Sequence, residues 1–247
     1  MLQGKNVFIT GARGGIGRAL VEEFAKSGAN IITHLRQPDD RFQVFINKII
    51  EKYKVKISCI YFDMTDYDSM KENIIKLRKN KVRVDILVNN AGISENSLFV
   101  MTTEEMLRKQ FEVNFFSVFL FTQQIIKIMI KQKFGRIINI SSAAALDSNP
   151  GKSVYGASKA AIIAMTNSIS SEYGTYNITA NCLAPGIIQT NMIESMSNEI
   201  IEKTTSLISL KRRGVPYEVA SAAVFLSSDG ASFINGQTIR IDGGISY

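Results

Sequence analysis

Short apolar segments alternate with longer amphipathic segments along most of this chain. The short segments are apolar at consecutive positions rather than at every second one, which is typical of strands buried on both faces of a parallel sheet. They predict seven strands, at residues 6–10, 30–35, 56–62, 86–89, 135–140, 179–183 and 238–241. The amphipathic segments carry apolar residues at helical spacing. They predict seven helices, at residues 16–27, 41–53, 67–80, 104–130, 154–173, 194–206 and 218–226.

The regular alternation of strand and helix predicts an α/β fold, a doubly wound parallel sheet of Rossmann-like type with helices on both faces. The 247 residues contain no internal repeat, low-complexity tract or linker rich in Pro and Ser. A chain of this length with 45% hydrophobic residues can bury one large core, so we expect a single domain over residues 1–247. Ligands bind such sheets at the carboxyl ends of the strands, and the residues that follow each strand are therefore the first candidates for chemistry.

Composition narrows the classes of protein to consider. The most apolar stretch, residues 113–129, is interrupted by polar residues, so we expect no membrane span. The first strand begins at Asn6, which leaves no room for a signal peptide, and we expect a cytoplasmic protein. The net charge is +7, but Lys and Arg are scattered along the helices without a basic stripe interleaved with aromatic residues. We therefore expect no nucleic-acid partner, whereas a basic surface suits a phosphorylated cofactor or an acidic carrier.

Histidine and cysteine are too sparse for metal or disulfide chemistry. His34 is the only histidine, and the two cysteines, Cys59 and Cys182, each fall inside a predicted strand. Sites for transition metals need several such ligands close together, and disulfide frameworks need pairs of cysteines at the surface of small domains. We predict that both cysteines pack in the interior and that no metal is bound.

A glycine-rich segment, residues 10–17, lies between the first predicted strand and the first predicted helix. Glycines permit a tight turn and a close approach of the backbone to a pyrophosphate, while the helix N-terminus offers free N–H groups and a partial positive charge. In the order strand, loop, helix, this pattern predicts a dinucleotide site. The expected contacts are Gly11, Arg13, Gly15, Ile16 and Gly17.

The end of the second strand decides between the two nicotinamide cofactors. An acidic residue there would bind the ribose 2′-hydroxyl and repel a 2′-phosphate, but residues 33–36 contain no carboxylate. Arg13 and Arg36 both lie in reach of this position, and guanidinium groups suit paired hydrogen bonds to phosphate. The pattern predicts NADPH (NADP+) rather than NADH. The alternative is that one or both arginines are ordinary solvated loop residues.

Tyr155 and Lys159 are four residues apart and therefore share one face of a predicted helix. An ammonium group one turn away favours the phenolate, so it is expected to lower the pKa of Tyr155 toward the range useful for proton transfer. The strand at residues 135–140 ends in Ser141 and Ser142, which brings a hydroxyl that can bind a substrate carbonyl to the same edge of the sheet. By itself, a Tyr/Lys pair at this spacing is also compatible with an ordinary surface pair.

Two further polar features follow strands or interrupt a helix. Residues 89–92 combine amide side chains with small residues and leave space for a flat or sugar-like group. Asn114 interrupts the apolar helix at residues 104–130. A buried amide needs partners, so Asn114 indicates a water or lysine site, with a helix kink or a simple core hydrogen bond as the alternative.

Taken together and in this order, the motifs resemble the short-chain dehydrogenase/reductase family in its single-domain form, over essentially the whole chain. The matching elements are Thr-Gly-x-x-x-Gly-x-Gly at residues 10–17, Asp63 after strand three, Asn-Asn-Ala-Gly at residues 89–92, Asn114, Ser142, Tyr155 with Lys159, and Pro185 with Gly186.

The resemblance implies a role for each matched residue. Tyr155 would transfer a proton, Ser142 would position the carbonyl oxygen, Lys159 would hold the nicotinamide ribose and lower the pKa of Tyr155, and Asn114 would anchor a water in a proton relay. The other implied contacts are Asp63 with adenine, Asn90 with the adenosine ribose, Ile188 and Thr190 with the carboxamide, and Met64, Ala91, Gly92, Pro185 and Gly186 elsewhere along the cofactor. A non-catalytic relative would be expected to lose Tyr155 or Lys159, and both are present.

Within the family, residues 210–220, 236–238 and 242–244 look like those of 3-oxoacyl-[acyl-carrier-protein] reductases, a likeness shared with sugar, steroid and alcohol dehydrogenases. The resemblance implies reduction of a small-molecule ketone, in particular an acyl thioester. In the acyl-carrier reductases two basic residues help dock the acyl carrier protein. Lys133 fits the first position, but the second is Tyr176 here.

The substrate lid is expected at residues 187–209, where an apolar, Met-containing segment suits an acyl chain or a hydrophobic ketone. The same apolar residues are equally compatible with the buried face of a helix pair.

The resemblance also implies a homotetramer built through its long central helices. The crowded phenylalanines of residues 104–130 agree with burial against a partner, although core packing within one subunit accounts for much of the pattern.

Overall fold

The computed structural model describes residues 1–147, 149–190 and 198–245, with only the backbone described at 198–201. Its seven strands form one sheet in which every neighbouring pair is parallel. They are β1 (Asn6–Ile9), β2 (Asn30–Leu35), β3 (Ile57–Tyr61), β4 (Ile86–Asn89), β5 (Gly135–Ile140), β6 (Ile178–Pro185) and β7 (Thr238–Ile241). The predicted single-domain α/β fold and its parallel sheet are confirmed.

The strand order is β3-β2-β1-β4-β5-β6-β7. The chain winds outward from β1 to β3, then returns to place β4 on the other side of β1 and winds outward in the opposite direction. Connections on the two sides of β1 therefore diverge, and a crevice opens at the carboxyl ends of β1 and β4. The glycine-rich loop after β1 and the segment after β4 both face this crevice.

Helices cover both faces of the sheet. They are α1 (Gly15–Lys26), α2 (Asp40–Tyr53), α3 (Tyr67–Lys79), α4 (Glu104–Phe111), α5 (Ser117–Gln132), α6 (Ser153–Tyr173), α7 (Asn198–Ser206) and α8 (Pro216–Leu226). The predicted continuous helix at residues 104–130 is instead two α-helices joined by a π-helical segment, Glu112–Phe116. The predicted start of the helix at 194–206 lies outside the described residues, as does part of the expected lid.

The core consists of two layers, one on each face of the sheet. In β1, Val7 and Ile9 point into the layer that includes α1 and α8, whereas Phe8 points into the layer that includes α3, α5 and α6. Phe8 packs against Phe121 of α5, with ring centroids 5.0 Å apart. Because successive side chains of a strand point to opposite faces, a strand covered on both sides must be apolar at every position. This explains the consecutive apolar runs in the sequence.

The helical stretch Glu104–Gln132 is long and apolar enough to cross a membrane by length and composition, and half of its most apolar window is buried inside the protein. The buried core helix of a globular protein meets the same criteria. Here α5 packs on the sheet through residues such as Phe121, Ile125 and Met129, which are inaccessible to solvent. The absence of a membrane span stays a prediction.

Candidate active site

The loop between β1 and α1 needs glycine at defined positions. Gly11 has a φ of +64°, and a Cβ there would lie 2.8 Å from the Cα of Ala91. A Cβ on Gly17 would lie 2.3 Å from the carbonyl oxygen of Gly11, so Gly17 lets α1 pack directly on the loop. Gly14, which precedes α1, has no side chain to accept hydrogen bonds from the first turn. The N–H groups of the first turn, at Gly15 and Ile16 among others, are therefore available to a phosphate.

The segment after β4 braces this loop. The Asn90 side chain donates to the carbonyl oxygens of Thr10 (3.1 Å) and Gly11 (2.9 Å). In return, the Thr10 hydroxyl accepts from the backbone N–H groups of Asn90 and Ala91, both at 3.0 Å. These cross-strand bonds hold the glycine-rich loop in one conformation, so a bound pyrophosphate would meet a preformed site.

Each of the two arginines expected at the adenosine end is paired with a carboxylate. Arg13 Nη1 lies 3.2 Å from Asp39 Oδ2, and Arg36 Nε lies 3.0 Å from Asp63 Oδ2. Both arginine side chains remain largely exposed, at 63% and 69%. Exposed pairs of this kind are weak and exchange readily with solvent or ligand. The arginines therefore stay available to a phosphate, although the four charges sum to zero.

Asp63 and His34 complete this end of the site. Burial alone would raise the pKa of Asp63, but hydrogen bonds from the backbone and hydroxyl of Thr65, together with Arg36, hold that pKa below its usual range. His34 is buried, with Nε2 2.8 Å from the carbonyl oxygen of Phe62, and burial lowers its pKa. His34 is consequently uncharged at neutral pH at this end of the site. Met64, beside Asp63, is buried in the core.

Tyr155 and Ser142 lie together at the carboxyl end of β5. A hydrogen bond between the Ser142 hydroxyl and the phenol lowers the pKa of Tyr155, but burial has the larger effect and raises the pKa above its usual value. The Nζ of Lys159 lies 6.0 Å from the centroid of the Tyr155 ring. That Lys159 lowers the pKa of Tyr155 stays a prediction.

Lys159 is a buried cation. Its side chain is 5% exposed, and Nζ donates to the carbonyl oxygen of Ile140 at 2.9 Å. Burial lowers the pKa of Lys159 to about 8, and the nearby Cys182 thiol has the opposite, smaller effect. The pKa of Cys182 is in turn raised to about 11, chiefly by burial. Among the described residues, Lys159 has no carboxylate partner, so its charge is directed to whatever occupies the crevice.

Asn114 lies in the π-helical segment Glu112–Phe116 and is completely buried. Its Oδ1 accepts from the backbone N–H of Ile93 at 2.8 Å, and its Nδ2 donates to the carbonyl oxygen of Ile93 (2.9 Å) and to the hydroxyl of Ser158 (3.1 Å). Gly92 lies between this amide and the lysine. A Cβ on Gly92 would lie 3.2 Å from both Asn114 Oδ1 and Lys159 Nζ. Single π turns inside α-helices are frequent at functional sites.

The remaining predicted residues border the other side of the crevice. Pro185 ends β6, and the Gly186 N–H donates to the carbonyl oxygen of Ile241 at 3.0 Å. Ile188 is buried, and the Thr190 hydroxyl donates to its carbonyl oxygen at 3.4 Å. A Cβ on Gly15 would lie 2.7 Å from Cγ2 of Thr190. The structure thus places Thr190 against the start of α1.

Comparison with known proteins agrees with this geometry. Residues 11–246 match a family model described as enoyl-(acyl carrier protein) reductase. A 3-oxoacyl-[acyl-carrier-protein] reductase from Thermotoga maritima is 40% identical over 99% of this chain and 98% of the relative. The chain belongs to the short-chain dehydrogenase/reductase family.

Solved structures support the same assignment. A levodione reductase superposes with a TM-score of 0.93 at 27% identity, covering 99% of this chain and 98% of that one. A mutant of a short-chain dehydrogenase/reductase from Serratia marcescens superposes with a TM-score of 0.91 at 29% identity, covering 100% and 99%. As a member of this family, the chain is an NAD(P)-dependent oxidoreductase that acts on CH–OH and C=O groups.

The residues present fit a nicotinamide dinucleotide of this family. The first turn of α1 has no side-chain cap, which leaves its N–H groups to a pyrophosphate, and Lys159 is a buried cation without an anionic partner among the described residues. Asn90, which we expect beside the adenosine ribose, also uses its amide to tie the loop together. The individual cofactor contacts stay predictions.

Sequence patterns did not identify three residues that the structure brings to the site. Ser158 holds Asn114, and Ser94 holds Lys152, whose Nζ stands 5.2 Å from the centroid of the Tyr155 ring. Their spacing could have indicated two of them, because Lys152 is three residues before Tyr155 and Ser158 is three residues after it, and residues three apart on a helix are neighbours.

Proposed function

We propose that this enzyme reduces a ketone to a secondary alcohol with NADPH, and that its substrate is a 3-oxoacyl thioester. The observation that carries the proposal is the convergence of the Tyr155 phenol, the Ser142 hydroxyl and the buried Lys159 ammonium at the end of β5. The substrate class is supported by the similarity to the Thermotoga maritima reductase and to a 3-oxoacyl-[acyl-carrier-protein] reductase from Aquifex aeolicus, which is 36% identical over 99% of this chain and 98% of the relative.

When bound, the reduced nicotinamide supplies the hydride to the ketone carbon. The residues of this chain orient the ketone and handle the proton. Ser142 and Tyr155 are two hydroxyls that can donate to the same carbonyl oxygen, and Tyr155 gives up its proton as negative charge develops there. Lys159 stabilises the resulting phenolate through its positive charge, which is strong because the group is buried. Asn114 keeps the backbone at Ile93 in place beside Lys159.

The choice of NADPH is supported by the absence of a carboxylate at residues 33–36 and by the exposed guanidinium groups of Arg13 and Arg36. A 2′-phosphate carries enough charge to displace Asp63 from an exposed pair with Arg36. We expect Arg36→Ala to lower kcat/KM for NADPH by about tenfold while kcat/KM for NADH changes little. Steady-state kinetics with both cofactors would test this, and a wild-type enzyme that prefers NADH would contradict it.

Docking of an acyl carrier protein is a finer part of the proposal. Lys133 follows α5 directly in the left-handed conformation and is exposed, which agrees with a contact to an acidic partner. Tyr176, at the second position, is 40% exposed and carries no charge.

The alternative substrate is another ketone, which the similarity to levodione reductase favours. Rates with a carrier-bound and a free acetoacetyl thioester would separate these substrates.

The central test of the reductase function is Tyr155→Phe, which removes the proton donor and keeps the ring. We expect turnover to fall by about 10²- to 10⁴-fold, because that is the usual contribution of a positioned acid, with the Kd for NADPH nearly unchanged. Tyr61→Phe, an exposed tyrosine on β3, is the matched control and should keep full activity. Full turnover in Tyr155→Phe would refute the proposed role.

A further inference from the structure

A groove opens between the ends of α3 and α5, at the amino ends of the strands and so on the side of the sheet opposite the active site. Its volume is about 550 Å³, and it is lined by the last turn of each helix and by the connection from α3 to β4. β4 begins just after this connection and ends at the crevice, so its four residues separate the groove from the cofactor site by about 13 Å. The described lining residues belong to none of the site motifs. The groove is therefore a separate candidate for ligand binding.

The floor of this groove is aliphatic. Ile75 of α3 is 37% exposed, Val82 of the connection is half-buried, and Ile128 of α5 is buried. The Gln132 amide donates to the carbonyl oxygen of Val84 at 2.9 Å and accepts from its N–H at 3.1 Å, which ties the end of α5 to the chain just before β4. The two sides of the groove are therefore held together by the protein itself, and a hydrocarbon chain would meet a preformed apolar surface.

Exposed cationic side chains from three elements surround the floor. They are Arg78 and Lys79 at the end of α3, Lys81 and Arg83 in the connection, and Lys131 at the end of α5. Arg83 is paired at 2.9 Å with Asp85, whose side chain is 4% exposed. In the part of the chain that the structure describes, the other four cations form no ion pair. The rim of the groove therefore carries positive charge that the protein does not neutralise locally.

Helix stability explains some of these charges but not all of them. Cations near a helix C-terminus interact favourably with the helix dipole, which accounts for Arg78, Lys79 and Lys131 without any ligand. Lys81 lies beyond the end of α3, in a left-handed conformation with a φ of +52°, where glycine is the usual residue. Its N–H donates to the carbonyl oxygen of Arg78 at 3.1 Å, which fixes it beside the last turn of α3. A lysine here keeps a charge at the rim in a position where glycine would strain the backbone less.

We propose that this groove binds a soluble organic phosphate with one short hydrocarbon chain, its phosphate among the rim cations and its chain on the aliphatic floor. A phosphate monoester carries close to two negative charges and three acceptor oxygens, so several of the rim cations can donate to it at once. A carboxylate carries one charge and complements this rim less well. A volume of about 550 Å³ lies in the range of small-molecule sites, which favours a single-chain ligand over a protein surface.

The experiment measures the binding of four probes to the full chain by isothermal titration calorimetry. The preferred nicotinamide cofactor is present in its oxidised form at saturating concentration, so that the glycine-rich loop is occupied. The probes are octyl phosphate, inorganic phosphate without a chain, octanoate with a single charge, and octyl glucoside with a neutral head. We expect octyl phosphate to bind at least about tenfold more tightly than inorganic phosphate and octyl glucoside, and more tightly than octanoate. Its Kd should rise with NaCl concentration, because the rim cations are exposed.

Variants locate the binding. Lys81→Gly and Lys131→Met each remove one rim charge, and Lys81→Gly should fold at least as well as the wild type because glycine suits its left-handed backbone. We expect each to raise the Kd for octyl phosphate about threefold, and the two together about tenfold, since each removes one exposed charge contact. Ile75→Asn makes the floor polar and should weaken octyl phosphate while inorganic phosphate changes less than about twofold. Lys76→Met, an exposed lysine of α3 outside the groove lining, is the matched control.

An equal loss in Lys76→Met, or no loss in any groove variant, would overturn the proposal, because octyl phosphate would then respond to overall charge or bind elsewhere. Octyl glucoside or inorganic phosphate binding as tightly as octyl phosphate would overturn it too. Displacement of octyl phosphate by a lower concentration of decaglutamate would assign the surface to an acidic protein partner instead. Binding to vesicles of phosphatidic acid and phosphatidylcholine without binding of octyl phosphate would assign it to a membrane. None of these measurements needs a ketone, so their outcome is independent of the proposed function.

Discussion

The electrostatics of Tyr155 and Lys159 show why two residues at helical spacing are not yet an acid–base pair. Burial destabilises the charged form of both groups, so the pKa of Tyr155 is raised and that of Lys159 is lowered. Both shifts favour the neutral side chains. A neutral phenol with a raised pKa is a weak proton donor until negative charge appears on the carbonyl oxygen beside it. The phenol would therefore give up its proton as negative charge develops on that oxygen.

A pH experiment on folding can detect the lowered pKa of Lys159. Between about pH 8 and the ordinary value of 10.5, the unfolded chain holds a proton that the folded chain has released, so the free energy of unfolding rises with pH in this window. The accumulated gain is about 3 kcal/mol, since each pKa unit corresponds to about 1.4 kcal/mol. Below pH 8 the buried charge is destabilising.

We expect Lys159→Met to remove this rise. Urea unfolding of the wild type and the variant from pH 7 to 10.5 measures the difference in stability, which should favour Lys159→Met most at pH 7 and shift toward the wild type by about 3 kcal/mol at the alkaline end. Lys26→Met, which removes an exposed lysine, should run parallel to the wild type. A parallel curve for Lys159→Met would show that burial does not lower the pKa of Lys159.

At the level of elements, the contact between α1 and the glycine-rich loop positions the cofactor site. Gly17 lies where a Cβ would be 2.3 Å from the carbonyl oxygen of Gly11, while a Cβ on Gly14 would meet that oxygen at an ordinary 3.8 Å. Gly14 also has a φ of −68°, which any residue adopts. Two glycines of one loop therefore have very different tolerance to a methyl group.

Gly17→Ala should push α1 away from the loop, destabilising the protein by about 1–3 kcal/mol and raising the Kd for NADPH by about tenfold or more. Gly14→Ala is the matched control, and we expect its stability to lie within about 0.5 kcal/mol of the wild type. Thermal unfolding and fluorescence titration measure the two quantities. If Gly17→Ala and Gly14→Ala changed stability and the Kd for NADPH equally, then Gly17 would not be needed for the close packing of α1 on Gly11.

Elements and motif residues were predictable because their signals are local. The strands are apolar at every position since both faces of the sheet are covered, and the glycine-rich loop carries its own conformational requirement at Gly11. The π turn at Glu112–Phe116 was not predictable, because it depends on Asn114 meeting Ile93 across 21 residues of chain. For the same reason, sequence alone did not show that Arg13 and Arg36 are paired, or that Lys152 stands at the Tyr155 ring.

At the scale of the whole molecule, the family resemblance leads us to propose a homotetramer associated through the central helices. Phe116, the last residue of the π segment, is 47% exposed, and Phe119, in the first turn of α5, is 43% exposed. Both contact Phe115 through tilted rings, with centroids 5.7 Å and 5.9 Å apart. A cluster of aromatic side chains that is half-exposed in one chain is a typical centre for an interface between chains.

Phe119→Asp places a charge in that cluster at a position outside the π segment that carries Asn114. If the cluster is buried between subunits, the substitution should weaken association by about 30-fold or more, since truncated aromatic anchors commonly cost 2 kcal/mol or above. Light scattering over a range of protein concentrations measures this, with Val44→Asp on the exposed face of α2 as the control. A wild type that scatters as a single chain would contradict the tetramer. A Phe119→Asp protein that stays tetrameric would show that the subunits meet elsewhere, because a carboxylate cannot remain charged in a dry aromatic contact without a partner.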